Sequence, residues 1–85
     1  MPKVKYFLVD VYSNNLPVRE FTRIKPAVRA YRAKVRRFNK IASPLAVFPY
    51  DLLMRKENGD MVKISVFPYG GDDDYRIEDT IMGSA

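Results

Sequence analysis

The chemistry most evident in this sequence belongs to residues 25–41, KPAVRAYRAKVRRFNKI, which hold seven basic residues and no acidic one. Arginine and lysine side chains neutralise phosphate charges and release the counterions condensed around nucleic acid. A run of this kind therefore predicts a surface that binds a polyanion. An ordinary surface helix mixes acidic and basic residues, because opposite charges four positions apart stabilise it and like charges destabilise it. Here the negative charge has to come from outside the helix.

Helical periodicity sorts this segment into two faces. At about 100° per residue, an arc of roughly 80° collects most of the cations. We predict that this arc and the neighbouring Arg37 form the binding face, which comprises Lys25, Arg29, Arg32, Arg36, Arg37 and Lys40. Neither Arg32 nor Arg36 should touch the core. The opposite side should pack on a sheet, and it carries Val28, Tyr31, Val35, Phe38 and Ala42.

Three interpretations of the basic face stay open at the level of sequence. The face binds nucleic acid, it docks on carboxylates of another protein or of this chain, or it is a solvated surface. The charge distribution favours binding, since residues 1–69 hold 14 basic and 5 acidic residues, a net charge of +9. Residues 70–85 hold 5 acidic residues and one basic residue, a net charge of −4. A positive field of this size attracts nucleic acid or acidic protein surfaces.

The length and the composition favour one small domain. We assign residues 1–69 to a single α+β domain and residues 70–85 to an acidic C-terminal tail, because a glycine pair followed by charge is typical of a loop. The sequence has no cysteine and no apolar run of roughly 18 residues. We therefore expect a cytoplasmic protein without a membrane partner.

The elements that position the basic face follow the pattern ββαββ. Residues 3–12 and 18–24 should form two strands around the turn Ser13-Asn14-Asn15. Pro26 suits the first turn of the helix, and Ser43-Pro44 should end it. A second hairpin follows the helix. The predicted fold is α+β, a four-stranded and mostly antiparallel sheet with one amphipathic basic helix on one face.

The second hairpin predicts an aromatic patch. If Asn58-Gly59 is a two-residue turn, Leu53 faces Ile64 and Pro49 faces Pro68. The repeated motif Val-Phe-Pro-Tyr, at 47–50 and 66–69, would then place four aromatic rings on one face as a secondary binding patch: Phe48, Tyr50, Phe67 and Tyr69. Such rings stack nucleic-acid bases or fill a core. In this register both faces of the hairpin are apolar, so the tail, a second subunit or a ligand should cover the face that the helix leaves open.

Catalytic and metal-binding groups are scarce. The chain has no histidine and no cysteine, which removes the commonest general base and the usual thiolate ligands. No phosphate-binding loop, nucleophile motif or dinucleotide fingerprint is present. The acidic residues near the C-terminus do not have the spacing of a calcium loop. We expect no enzymatic activity, no metal and no cofactor.

The sequence thus predicts a small, non-enzymatic binding module. Its cationic helix face would bind a polyanion, with nucleic acid as the leading partner. The alternative is a protein-binding inhibitor or adaptor, of the kind found in viruses and mobile elements, that docks on an acidic surface of a larger protein. A homodimer joined through the uncovered sheet face is a further expectation.

Overall fold

One five-stranded antiparallel sheet with a helix on one face makes up the structure. The computed structural model describes residues 3–41, 43, 45–67 and 69–84, without the side chains of residues 79 and 82–84. The elements in chain order are β1 (Lys5–Asp10), a single-turn 3-10 helix (Val11–Ser13), β2 (Leu16–Phe21), α1 (Ile24–Ile41), β3 (Tyr50–Arg55), β4 (Asp60–Val66) and β5 (Tyr75–Ser84). The strand order is β2-β1-β3-β4-β5, so the two hairpins meet where β1 pairs with β3.

The α+β class, the antiparallel sheet and the single α-helix are confirmed. The sheet has five strands, one more than the four that the sequence predicts. Tyr75–Ser84, expected as part of a tail, form β5 and pair with β4. Two irregularities interrupt this pairing, one between Met61 and Val62 and one between Val62 and Ile64. Each irregularity shifts the alternation of side chains by which a strand is recognised in a sequence. The segment therefore looks like a loop although it is a strand at the edge of the sheet.

The first hairpin turns where the sequence predicts. Asn14 and Asn15 take left-handed backbone conformations, with φ of 55° and 58°. Asparagine tolerates this region better than most residues, which explains why two of them stand here. The register slips between Leu8 and Val9, and Pro17 lies on β2, the other edge strand of the sheet. Proline suits an edge, because it has no N–H to donate to a further strand.

The predicted register of the second hairpin is wrong by one residue. Leu53 pairs with Lys63, and Leu52 pairs with Ile64. The reason is a loop of three residues in place of two: the Lys56 N–H donates to the Asp60 carbonyl at 2.8 Å, and the Gly59 N–H donates to the Lys56 carbonyl at 2.9 Å. Gly59 alone in this loop has a positive φ, of 91°. This is typical of a hairpin in which a left-handed glycine follows an ordinary turn.

The shift of one residue changes which side chains share a face. On the helix side of the second hairpin, Leu52, Met54, Val62 and Ile64 form one buried cluster with Ala27 and Val28 of α1. The other side becomes mixed. Leu53 is buried there, but Lys63 reaches Asp51 at 3.8 Å and Arg55 lies over the Phe7 ring at 5.4 Å.

The expectation that both faces are apolar is therefore wrong. The homodimer through the uncovered face stays a prediction, but an apolar face no longer supports it. The predicted apposition of Pro49 and Pro68 lies outside the described residues, since Pro68 is not among them.

We predict that Gly59→Ala destabilises the protein by about 1–2 kcal/mol, because an L side chain at this positive φ is strained. Gly71→Ala is the matched control. A Cβ there would meet Asp74 Oδ2 at 3.7 Å, an ordinary contact, and the change should stay within about 0.5 kcal/mol. Urea unfolding of both variants, with equal m-values, measures the difference. Equal stabilities would contradict the three-residue turn.

Candidate polyanion-binding surface

Helix α1 packs on the sheet with the predicted apolar side. Val28 and Val35 are buried, and Tyr31 and Phe38 are half-buried. The Phe48 ring meets the rings of Tyr31 and Phe38 edge-on, with centroids 5.3 and 5.5 Å apart. Burial, with the charge of Asp51 adding, raises the pKa of the Tyr31 hydroxyl above its usual value. Ala42, the last predicted member of this side, lies outside the described residues.

Arg32 is not on the exposed face, which corrects the prediction. Only 4% of this residue is exposed. Its Nε donates to the carbonyl of Phe67 and its Nη2 to the carbonyl of Asp74, both at 3.0 Å. The planar guanidinium suits this bridge, because it presents two N–H groups in a fixed orientation. Arg32 therefore joins α1 to the loop between β4 and β5 and is not available to a partner.

The same loop takes up two further cations of the predicted face. Arg29 donates to Asp72 Oδ2 through Nε at 3.0 Å and Nη2 at 2.7 Å, and Lys25 lies 3.6 Å from Asp73 Oδ1. Hydrogen bonding from Arg29, with the charges of Arg29, Arg32 and Lys25 adding, holds the pKa of Asp72 below its ordinary 3.8. The stabilisation by this pair is complete above pH 3.8 and is lost as the pH falls through the lowered pKa. Both pairs are solvent-exposed, so each contributes little to stability.

Hydrogen bonds among Phe67, Gly70 and Asp74 close the loop between β4 and β5 and hold these groups in place. The Phe67 N–H donates to the Asp74 carbonyl at 3.0 Å, and the Gly70 N–H donates to the Phe67 carbonyl at 3.2 Å. A Cβ at Gly70 would overlap the side chain of Asp74, so only glycine fits there. The two carbonyls that Arg32 binds are thus the ones that close the loop.

The C-terminal half of α1 carries the cations that remain. Arg36, Arg37 and Lys40 are exposed, and no acidic side chain within the described ranges pairs with them. Lys40 lies in the last turn of the helix, where a cation interacts favourably with the helix dipole. We call these three residues the free stripe. They are the part of the predicted face that a partner can reach.

A small cleft beside the free stripe contains two cations that the sequence interpretation did not assign. It lies between α1 and the first hairpin and has a volume of about 210 Å³. Its lining is Leu8, Arg19, Ala30, Ala33, Lys34 and Arg37, and we call it the basic cleft. The spacing of Ala30, Ala33, Lys34 and Arg37 along one line of the helix could have indicated it. Arg19 could not be found without knowing that β2 lies beside α1.

The predicted aromatic patch is divided between two places. Phe48 and Tyr50 lie under the helix, with ring centroids 5.6 Å apart. Phe67 and Tyr69 lie in the loop that Arg32 holds and are 59% and 89% exposed. The corrected register removes the common face on which the patch rested. Of the four rings of the predicted patch, Phe67 and Tyr69 are the two that are exposed to a partner.

Other kinds of site find little support in the described ranges. No three acidic side chains there stand close enough to share a metal ion. Within the described residues, no helix combines the length and the apolar character that crossing a bilayer requires. Comparison with protein-family models, with curated proteins and with solved structures finds no match to this chain.

We predict that Arg32→Ala lowers stability by about 2–3 kcal/mol, because two hydrogen bonds from a buried charged group are lost. Arg36→Ala, an equal charge change on the free stripe of the same helix, should stay within about 0.5 kcal/mol. Arg32→Lys should recover only part of the loss, since an ammonium group cannot reproduce the planar fork. Thermal and urea unfolding compare the three variants. If Arg32→Ala is as stable as Arg36→Ala, the bridge has no structural role.

Proposed function

We propose that this protein is a non-enzymatic binding module that uses the exposed cations of α1 to bind nucleic acid. The observation that carries the proposal is the free stripe: Arg36, Arg37 and Lys40 are exposed without an acidic partner in the described part of the chain. Three like charges within five residues of a helix destabilise one another. A row of phosphates removes this repulsion and gains the release of its own counterions.

The other half of the helix supports the same argument. Where the chain supplies carboxylates, at Asp72 and Asp73, the helix pairs with them. The helix surface thus suits anions, and the chain provides carboxylates along only part of the helix. The nearby loop adds exposed aromatic surface at Phe67 and Tyr69. Aromatic rings beside cations stack bases in proteins that bind single strands.

A protein partner remains a second candidate, and a separate observation favours it. Among the described residues that directly follow the free stripe, three large apolar side chains are exposed: Ile41, Val47 and Leu45, which is 92% exposed. Protein interfaces are enriched in arginine and have an apolar core. An inhibitor or adaptor that docks on an acidic surface would use both. A cytoplasmic location and the absence of a membrane partner belong to either proposal.

We predict that Arg36→Ala, Arg37→Ala and Lys40→Ala together weaken binding to oligonucleotides and flatten its dependence on salt. Each lost contact should reduce the slope of log K against log salt by about 0.9 on duplex and about 0.7 on a single strand. The matched control replaces Lys3, Lys56 and Arg76, three exposed cations away from the stripe, by alanine. Fluorescence anisotropy over a salt series measures both triple variants.

The two triple variants have the same net charge, so a difference between them locates the contact surface. An equal loss in both would mean that only the overall charge matters. Absence of oligonucleotide binding by the unmodified protein at low salt would exclude the nucleic-acid function. If the protein instead binds one protein with mild salt dependence, and Leu45→Ser reduces that binding, the adaptor function takes its place.

We also predict that Asp72→Asn combined with Asp73→Asn strengthens binding. The change frees Arg29 and Lys25 from their carboxylates and should steepen the salt slope by up to two contacts. Deletion of residues 72–85 is not an equivalent test, because it removes β5. The same anisotropy series measures the double variant. A control with Asp51→Asn, whose partner is Lys63 on the uncovered face, should leave the slope unchanged.

A further inference from the structure

The basic cleft differs from the free stripe in having walls and a floor. Leu8 of β1 is fully buried and closes the bottom, and two alanines of α1, Ala30 and Ala33, leave room where larger side chains would fill the space. The volume of about 210 Å³ is below that of the usual cofactor pocket, which is roughly 300–1,000 Å³. The cleft therefore fits a small group and not a whole cofactor.

Two of the three cations that line the cleft lie over aromatic rings. The Arg19 guanidinium lies 4.9 Å from the centre of the Phe21 ring, and Lys34 Nζ lies 5.0 Å from the centre of the Tyr50 ring. A ring face attracts a cation without neutralising it. Arg37 completes the set from the next turn of the helix, and none of the described residues that line the cleft carries a carboxylate. Positive charge is thus positioned around a small space before any ligand arrives.

This arrangement favours one chemical class of ligand. Arginine forms paired hydrogen bonds with phosphate oxygens, and a phosphate monoester carries roughly 1.5–2 negative charges at neutral pH. Three cations match that charge better than they match a single carboxylate. We propose that the basic cleft binds one phosphate group, either the terminal phosphate of a nucleic-acid strand or free phosphate. The first source rests on the nucleic-acid function proposed above, and the second is independent of it.

The first part of the test uses three oligonucleotides of one sequence, with a phosphate at the 5′ end, at the 3′ end or at neither. A terminal phosphate at one of the ends should tighten binding by about tenfold, the effect of one charge-assisted hydrogen bond. Inorganic phosphate is titrated separately and followed by NMR. It should shift the amide resonances of Ala30 and Ala33 and the side-chain Nε–H of Arg19, with saturation.

The second part uses two variants with equal charge changes. Arg19→Gln should abolish the preference for a terminal phosphate and the shifts with inorganic phosphate. It should change binding of the unphosphorylated strand by less than about twofold, since surface charges away from a contact contribute little. Arg36→Gln should weaken binding of all three strands and keep the preference. Lys34→Gln is a second test of the cleft from the helix side, should Arg19→Gln disturb β2.

The outcomes separate this proposal from the function above. Salt-dependent binding of oligonucleotides without a preference for a terminal phosphate, and without shifts at Ala30 and Ala33, overturns the cleft and leaves the nucleic-acid function standing. Saturable phosphate shifts that Arg19→Gln removes, in a protein that binds no strand, support the cleft and remove the nucleic-acid function. A preference that survives both Arg19→Gln and Lys34→Gln also overturns the proposal.

Discussion

The buried guanidinium of Arg32 is the interaction on which the arrangement of charge in this protein depends. A cation removed from water has to be hydrogen-bonded, and two backbone carbonyls of the loop between β4 and β5 do this. The same two carbonyls accept the N–H groups that close the loop. Because Arg32 fixes the loop against α1, Asp72 and Asp73 stand beside Arg29 and Lys25. The position of one side chain thereby divides the helix into a neutralised half and a half that stays positive.

Each line of side chains along α1 consequently has its own environment. The apolar line faces the sheet, and Val28 and Val35 are buried there. A second line, which includes Arg29, contacts the acidic loop between β4 and β5. A third line, which includes Lys34, borders the basic cleft, and a fourth, which includes Arg36, is open to solvent. A helix with seven cations and no acid would be destabilised by repulsion between its side chains if all of them faced the same way. The fold spreads them over three environments, and this distribution decides which of them a polyanion can reach.

The parts of the structure that the sequence predicts are those governed by local rules. Periodicity identifies α1 and its apolar side, and Asn14-Asn15 identify the first turn. The predicted register of the second hairpin is wrong because Asn-Gly fits both a two-residue turn and a three-residue turn. Only the pairing partners decide between the two turns. Strand β5 is not predicted, because its irregular pairing with β4 breaks the alternation of side chains by which a strand is recognised. On a helical wheel Arg32 belongs with the exposed cations. Its burial follows from a loop more than thirty residues further along the chain, which no local pattern can indicate.

The two edges of the sheet determine how this molecule can associate. Pro17 and the slipped register interrupt the outer row of hydrogen-bonding groups on β2, and the irregular register of β5 interrupts it on the other side. Edge strands broken in this way are poor templates for the addition of a further strand. Fibril-like growth through the backbone of the five-stranded sheet in the described part of the chain is therefore disfavoured. Association is left to side-chain surfaces, whose composition natural variation can change without altering the fold.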